Sequence, residues 1–171
     1  ARRGLVREEG VEDHAVEGAA AGGGLGLALA CDLIAMSENA VLDTGFARVG
    51  LTPDNATPFF LARTVGPYRA RELLLNPRPI PAAEAIDLGL ANVSYGGEGE
   101  PFYAAVAEYA ETMANYPANI QAHTKALIES AFRADLDEHL EWERSAIKQA
   151  SDSEAFEEGL AAFFEGRDER A

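Results

Sequence analysis

The chain has 171 residues, 47% of them hydrophobic, which is enough for one ordinary core and makes a single domain the starting expectation. Its 29 acidic residues against 14 basic ones leave a formal charge of -15, a surface that repels a phosphate backbone and argues against nucleic acid as a partner. The apolar run from Leu25 to Met36 is interrupted by Asp32 and falls short of the ~20 residues needed to cross a bilayer, and Ala1-Arg2-Arg3 leads into Glu8 and Glu9 where a secretory signal would have an apolar segment.

In chain order, residues 1–14 are dense in charge, lack apolar periodicity and read as the end of a helix followed by a loop. Val16 ends a short buried strand. Gly22, Gly23 and Gly24, preceded by small residues and followed by an apolar run, have the form of a tight turn into a buried helix over residues 23–31. Backbone N–H groups left bare by such a turn can bind an anion or an oxyanion formed during a reaction, although a glycine triplet also serves as a plain flexible turn. Residues 33–36 and 40–42 read as short strands separated by the turn Ser37-Glu38-Asn39. Thr57-Pro58 opens a helix that runs to Val65 and stops at Gly66-Pro67, and residues 69–75 form another. Asn76 to Pro81 holds three prolines and is expected to be irregular. Residues 82–88 are a short helix ended by Gly89, and 90–95 a strand. Gly96-Gly97-Glu98-Gly99 is the clearest linker and divides a core part, residues 1–98, from a helical region, 99–171. There Phe102, Val106, Tyr109 and Met113 fall on one face, Tyr116-Pro117 breaks the helix, and further helices are expected at 118–133, 135–150 and 152–165. Alternation of strand and helix up to Tyr95 predicts an α/β arrangement.

Cys31, the one cysteine, cannot form an internal disulfide, fits a reducing cytoplasm and reads as a small buried residue rather than a nucleophile. Lys125 and Lys148 are the only lysines, so arginine dominates the basic residues. High acid content with little lysine fits a protein kept soluble in concentrated salt, and equally an ordinary acidic cytoplasmic enzyme.

The stretch Val16-Glu17-Gly18-Ala19-Ala20-Ala21-Gly22-Gly23-Gly24 with the Ala-rich run to Cys31-Asp32 resembles the signature of the crotonase superfamily, the enoyl-CoA hydratase/isomerase family. The resemblance continues through Phe46-Ala47-Arg48-Val49-Gly50-Leu51-Thr52-Pro53-Asp54, Leu61-Ala62-Arg63-Thr64-Val65-Gly66 and Ala82-Ala83-Glu84-Ala85-Ile86-Asp87-Leu88-Gly89-Leu90. It implies a spiral of ββα turns, incomplete here, with a C-terminal helical region that packs subunits into trimers or pairs of trimers. The strand block that precedes this point in the family and supplies the first oxyanion donor is not visible ahead of Val16. The chain is therefore read as a fragment, a chain whose numbering closes over absent residues, or a truncated paralogue.

The family polarises the carbonyl of an acyl-CoA thioester with two backbone N–H groups. By motif position Gly23 is the second donor, flanked by Gly22 and Gly24. The substrate carries its own CoA, so no cofactor or metal is implied. The two glutamates that place and deprotonate water in the family's hydratases fall where this chain has Gly26 and Phe46, neither of which transfers a proton. Asp54, by contrast, stands where the branch resembling Δ3,Δ2-enoyl-CoA isomerases and 1,2-epoxyphenylacetyl-CoA isomerase has an acid. A single carboxylate suits a proton shuttle, with Phe46, Phe59 and Phe60 able to supply an apolar wall and Leu51 to touch the acyl group. Pro53-Asp54-Asn55 also reads as an ordinary surface turn. Glycines usual after this acid are Ala56-Thr57 here, which points to a displaced loop.

Arg167 matches a basic C-terminal motif of the family and is a candidate for contact with CoA phosphate, with a solvated helix end as the alternative reading. His14, His123 and His139 are too scattered for a metal site, and Ser37 and Ser94 lack a nucleophile context. The expectation is an enoyl-CoA double-bond isomerase in the cytoplasm that assembles as a homotrimer or hexamer. Its alternatives are a truncated, non-catalytic, oligomerising relative and an enoyl-CoA hydratase.

Overall fold

A computed structural model of the chain describes residues 5–8 and 11–168, with side chains from 12 to 165. It divides into two compact units, residues 1–114 and 115–171.

In the first unit β1 (Leu5–Glu8) and β2 (Val11–Val16) lead through Glu17-Gly18 into β3 (Ala19–Ala21) and α1 (Gly23–Leu29). The chain continues through β4 (Leu33–Ser37), β5 (Val41–Asp43), a 3₁₀ turn over Phe46–Val49 and α2 (Thr57–Leu75). It closes with β6 (Pro79–Pro81), α3 (Ala82–Asp87), β7 (Val93–Tyr95) and α4 (Glu100–Ala114). One sheet has the order β1-β2-β4-β7, antiparallel between β1 and β2 and parallel elsewhere; the other has the order β3-β5-β6, parallel and then antiparallel. Each pass of the chain lays one strand in each sheet and then a helix: β2, β3, α1, followed by β4, β5, α2. This is the ββα spiral that the resemblance implies.

Register follows the two-residue period of strands. With Val16 opposite Met36 and His14 opposite Ile34, Val16, Ile34 and Met36 face the main core with Leu25, Leu42, Leu61, Leu73 and Ile80. Ala15 and Ala35 alternate to the other face, where α4 lies. Both are small, so Phe102 and Val106 of α4 pack against the sheet and are fully buried. Burying a side chain such as Phe102 contributes roughly 1.5–3 kcal/mol. Asn92 extends β4 before β7 begins: its Oδ1 accepts from Ile34 N–H and its own N–H donates to Ile34 C=O, both at 2.8 Å.

Three expectations change. Residues 5–8 and 11–14 lie in strands, not a helix end and loop, while the strand expected to end at Val16 does so and begins at Val11. Ladder pairing of β2 with β4, fixed by Glu12 N–H to Asp32 Oδ2 at 2.7 Å and Asp32 N–H to Glu12 C=O at 2.9 Å, and of β1 with β2 prevails over the charged sequence. Pro79–Pro81 is also a strand, because it lies at a sheet edge where a missing N–H is tolerated and it buries Ile80 opposite Leu42. The compact unit ends at Ala114, where a division at residues 98 and 99 was expected, because α4 completes the sheet's second face. Gly66, at φ 74 and ψ 164 and followed by Pro67, divides α2 where the sequence predicts two helices.

The second unit consists, among the described residues, of α5 (Ala118–Ser130), α6 (Leu136–Ser151) and α7 (Glu154–Asp168). Asp135 caps α6 by accepting the Glu138 N–H at 3.0 Å, with Asp137 and Glu138 in its first turn and Lys148 in its last, as the helix dipole favours. The buried Ser130 hydroxyl donates to Leu127 C=O at 2.7 Å and meets His139 Nδ1 at 2.6 Å, joining α5 to α6.

Candidate active site

The glycine triplet is built as a corner between the two layers. Gly22 has φ 53 and ψ -121, a conformation that only glycine adopts without strain, and its N–H donates to Asp43 C=O at 2.9 Å. Leu25 and Gly26 return their N–H groups to Gly22 C=O at 3.0 and 3.3 Å. The N–H groups of Gly23 and Gly24 donate to no acceptor among the described residues, so the corner presents two unused donors side by side.

Asp43 organises the neighbouring loop. Its Oδ1 accepts from Gly45 N–H at 2.9 Å and its Oδ2 pairs with the Arg48 guanidinium, which also donates to Pro77 C=O at 3.1 Å. The 3₁₀ turn that follows places Phe46 in the core at 6% exposure, with its ring 3.8 Å from where a Gly22 Cβ would stand. Phe46 therefore fills the floor beneath the triplet. Leu51, whose N–H donates to Phe46 C=O at 3.1 Å, is exposed, as are Val49 and Leu27.

Asp54 comes to the same corner from the loop before α2. A Cβ on Gly23 would lie 3.9 Å from Asp54 Oδ1 and 2.5 Å from Asn55 Nδ2, and Asn55 Nδ2–H donates to Asp54 Oδ1 at 3.0 Å. Asp54 is exposed, so Phe46, Phe59 and Phe60 do not enclose its carboxylate. Phe59 instead packs edge-on against Phe60, with the Arg63 guanidinium carbon 3.5 Å from the Phe59 ring centroid. Gly22, Gly23, Gly24, Phe46 and Asp54 are thus brought together, with Leu51 on the same loop as Asp54. Arg167 lies in the last turn of α7, in the other unit, and its side chain is outside the described residues.

The sequence placed Asn55 in a turn and Ala56 in a displaced loop but gave neither a role at the corner. Asn55 and Ala56 have φ 48 and 56, successive left-handed residues, and Thr57 behind them is fully buried with its Oγ1 unpartnered among the described residues. The legible signal was the Asp-Asn pair, since Asn is the non-glycine residue that best tolerates this conformation. Gly26 is buried under this turn: a Cβ there would collide with Asn55 C=O and stand 2.8 Å from Thr57 Oγ1.

Cys31 is half-buried, and its thiol is pushed up by burial and by the charges of Glu12, Asp32 and Asp13. A thiol shifted in this direction is a poor nucleophile. Among the described residues no group of three or more potential metal ligands comes together, and no helix is long and apolar enough to cross a membrane.

A two-sheet ββα spiral with bare N–H groups at a glycine corner is the architecture of a crotonase-type protein. The sequence profile of the enoyl-CoA hydratase/isomerase family matches residues 14–170, and the chain belongs to that family. It is 34% identical over 159 residues to 4-chlorobenzoyl coenzyme A dehalogenase-1 of an Arthrobacter species, covering 93% of this chain and 57% of that one. Among solved structures, an enoyl-CoA hydratase from Polaromonas sp. JS666 superimposes with a TM-score of 0.83 at 34% identity, over 90% of this chain and 59% of the other. A Thermobifida fusca protein described as an enoyl-CoA hydratase, solved in complex with acetoacetyl-CoA, gives a TM-score of 0.76 at 35% identity over 86% and 57%. The chain thus spans about three-fifths of the length of the proteins it matches.

Proposed function

We propose that the protein containing this chain is an enoyl-CoA double-bond isomerase, with Gly23 N–H as one oxyanion donor and Asp54 as both acid and base. The observation that carries this reading is the Asp54 carboxylate lying against Gly23, whose N–H has no acceptor among the described residues. An enolate oxygen bound at that N–H sets the thioester's α-carbon near the carboxylate. Asp54 removes a proton from C2 of a 3-enoyl thioester, negative charge passes to the oxygen, and the same proton returns to C4 as the double bond moves to C2–C3. The shift is neutral overall and consumes no water or cofactor; CoA enters as part of the substrate.

Hydration is disfavoured by the same geometry. Phe46 is a buried hydrocarbon floor and Gly26 is covered by the Asn55 peptide, so neither position holds a carboxylate that would activate water. The test is incubation of the full chain with a 3-enoyl-CoA and, separately, a 2-enoyl-CoA. Isomerisation of the first with slow hydration of the second is expected, and Asp54→Asn should lower kcat by roughly 10²–10⁴ while KM holds. Rapid hydration by the parent, or an Asp54→Asn enzyme with parental kcat, overturns the reading.

A second reading rests on the exposed Asp54 and the dehalogenase relative. A carboxylate so placed can attack carbon as well as hydrogen, adding to the ring carbon of a halogenated aromatic thioester and expelling halide, with water then cleaving the aryl ester. Chloride release from 4-chlorobenzoyl-CoA, abolished in Asp54→Asn, separates this reading from isomerisation. We also propose that the exposed apolar faces of α5 to α7 serve assembly into a trimer or pair of trimers.

A further inference from the structure

We propose that Asn55 is a positioning residue that holds the Asp54 carboxylate against Gly23, and that Gly26 lacks a side chain because the Asn55 turn occupies its space; this rests on the isomerase reading. A carboxylate only accepts, so the Asn55 side-chain group facing Asp54 Oδ1 at 3.0 Å is the amide nitrogen. That nitrogen lies against Gly23, 2.5 Å from where its Cβ would be, so one amide touches the base and borders the proposed oxyanion donor. With Oδ1 tied, Oδ2 has no partner among the described residues and is the oxygen that carries the proton.

The turn that delivers the amide is strained and locked. Asn55 and Ala56 at φ 48 and 56 are held by Thr57 N–H to Asp54 C=O at 2.9 Å and Phe60 N–H to Ala56 C=O at 3.1 Å, with Thr57 buried beneath them. In this conformation the Asn55 carbonyl is directed onto α1. A Cβ on Gly26 would overlap it and approach Asn55 Cβ to 2.9 Å. Any side chain at position 26, the hydratase glutamate included, is therefore incompatible with this turn. Loss of one acid and placement of the other are a single structural choice.

Asn55→Gly in the full chain keeps the left-handed backbone and deletes only the amide. Loss of a hydrogen bond to a charged group predicts a fall in kcat on 3-enoyl-CoA of about tenfold or more, with KM and the thermal midpoint near the parental values. Gly26→Ala should lower kcat as well, and the double variant should lose no more than the worse single one, because both act on the placement of Asp54. Parental kcat in Asn55→Gly, or a change confined to KM, overturns the proposal. If the parent isomerises nothing, the functional reading has failed, and crystal structures of parent and Asn55→Gly then decide this one. A carboxylate rotated away from Gly23 in the variant supports it, and one that keeps its place overturns it.

Discussion

Residues up to Ala114 and those beyond it use apolar side chains in opposite ways. In the first unit two sheets and α4 bury Leu25, Met36, Leu42, Leu61, Leu73, Ile80, Phe102 and Val106 almost completely. In the second, Ile128, Phe132, Leu136, Leu140, Trp142, Ile147, Phe156, Leu160, Phe163 and Phe164 are all exposed, and α6 buries none of its residues. The sheets give each strand residue a defined partner face, whereas the helices keep their apolar sides open. The first unit therefore carries a closed core and the proposed chemistry; the second carries the exposed apolar faces proposed for assembly.

The largest effect expected from this contrast is in the core. Phe102→Ala should cost about 3–5 kcal/mol of unfolding free energy, read from denaturant midpoints, because Phe102 is fully enclosed by Ala15, Ala35 and Val106. Ile147→Ala, an exposed position of α6, should cost no more than about 0.5 kcal/mol. Equal losses would erase the distinction between the units.

The next effect is on assembly. A charge of -15 opposes contact between copies at low ionic strength, and the Debye length falls from ~30 Å at 0.01 M salt to ~3 Å at 1 M. Light scattering should show mass rising with salt towards a trimer or its double, and Leu140→Ser with Phe156→Ser should move that rise to higher salt. A parent that stays monomeric in molar salt argues against the second unit as an assembly surface, and assembly indifferent to salt argues against adaptation to concentrated salt.

Gly22-Gly23-Gly24 and Thr57-Pro58 made helix starts legible by backbone rules that hold in any context, and the spiral itself came from the resemblance to the crotonase superfamily. β1 and all but the end of β2 were hidden, since residues 5–8 and 11–14 carry no alternation and their place depends on pairing, β1 with β2 and β2 with β4 some 20 residues on. β3 was hidden for the opposite reason: Ala19-Ala20-Ala21 has no side-chain pattern and is a strand through its ladder with β5 alone. At the site, Gly23 and Asp54 could be named from the sequence, but their contact could not. Nor could the role of Gly26, because what fills its space is a peptide group from a turn about 30 residues away, and backbone leaves no signature in a side-chain pattern.

The smallest expected effect concerns Asp13, a buried charged residue in a strand of the first unit. Asp13 is 3% exposed in β2, its Oδ1 has no partner among the described residues, and burial first and the charge of Asp32 second raise its pKa above the ordinary 3.8. An acid that holds its proton more tightly folded than unfolded stabilises the fold fully below its unfolded pKa, and that contribution is lost as pH rises through the folded value. His14 beside it runs the other way: burial lowers its pKa from 6.5, so its contribution is present above that value and lost as pH falls through the folded one. Asp13→Asn removes the first of these and keeps the shape. It should be more stable than the parent at pH 7 by about 1 kcal/mol of unfolding free energy, the low end of the cost of an unsatisfied buried polar group. The gain should vanish near pH 3, where the parent's Asp13 is protonated in both states. A variant less stable than the parent at pH 7 would show that Asp13 is held charged by a partner, and one whose advantage is the same at both pH values would show that folding leaves the Asp13 pKa unchanged; either outcome overturns this account.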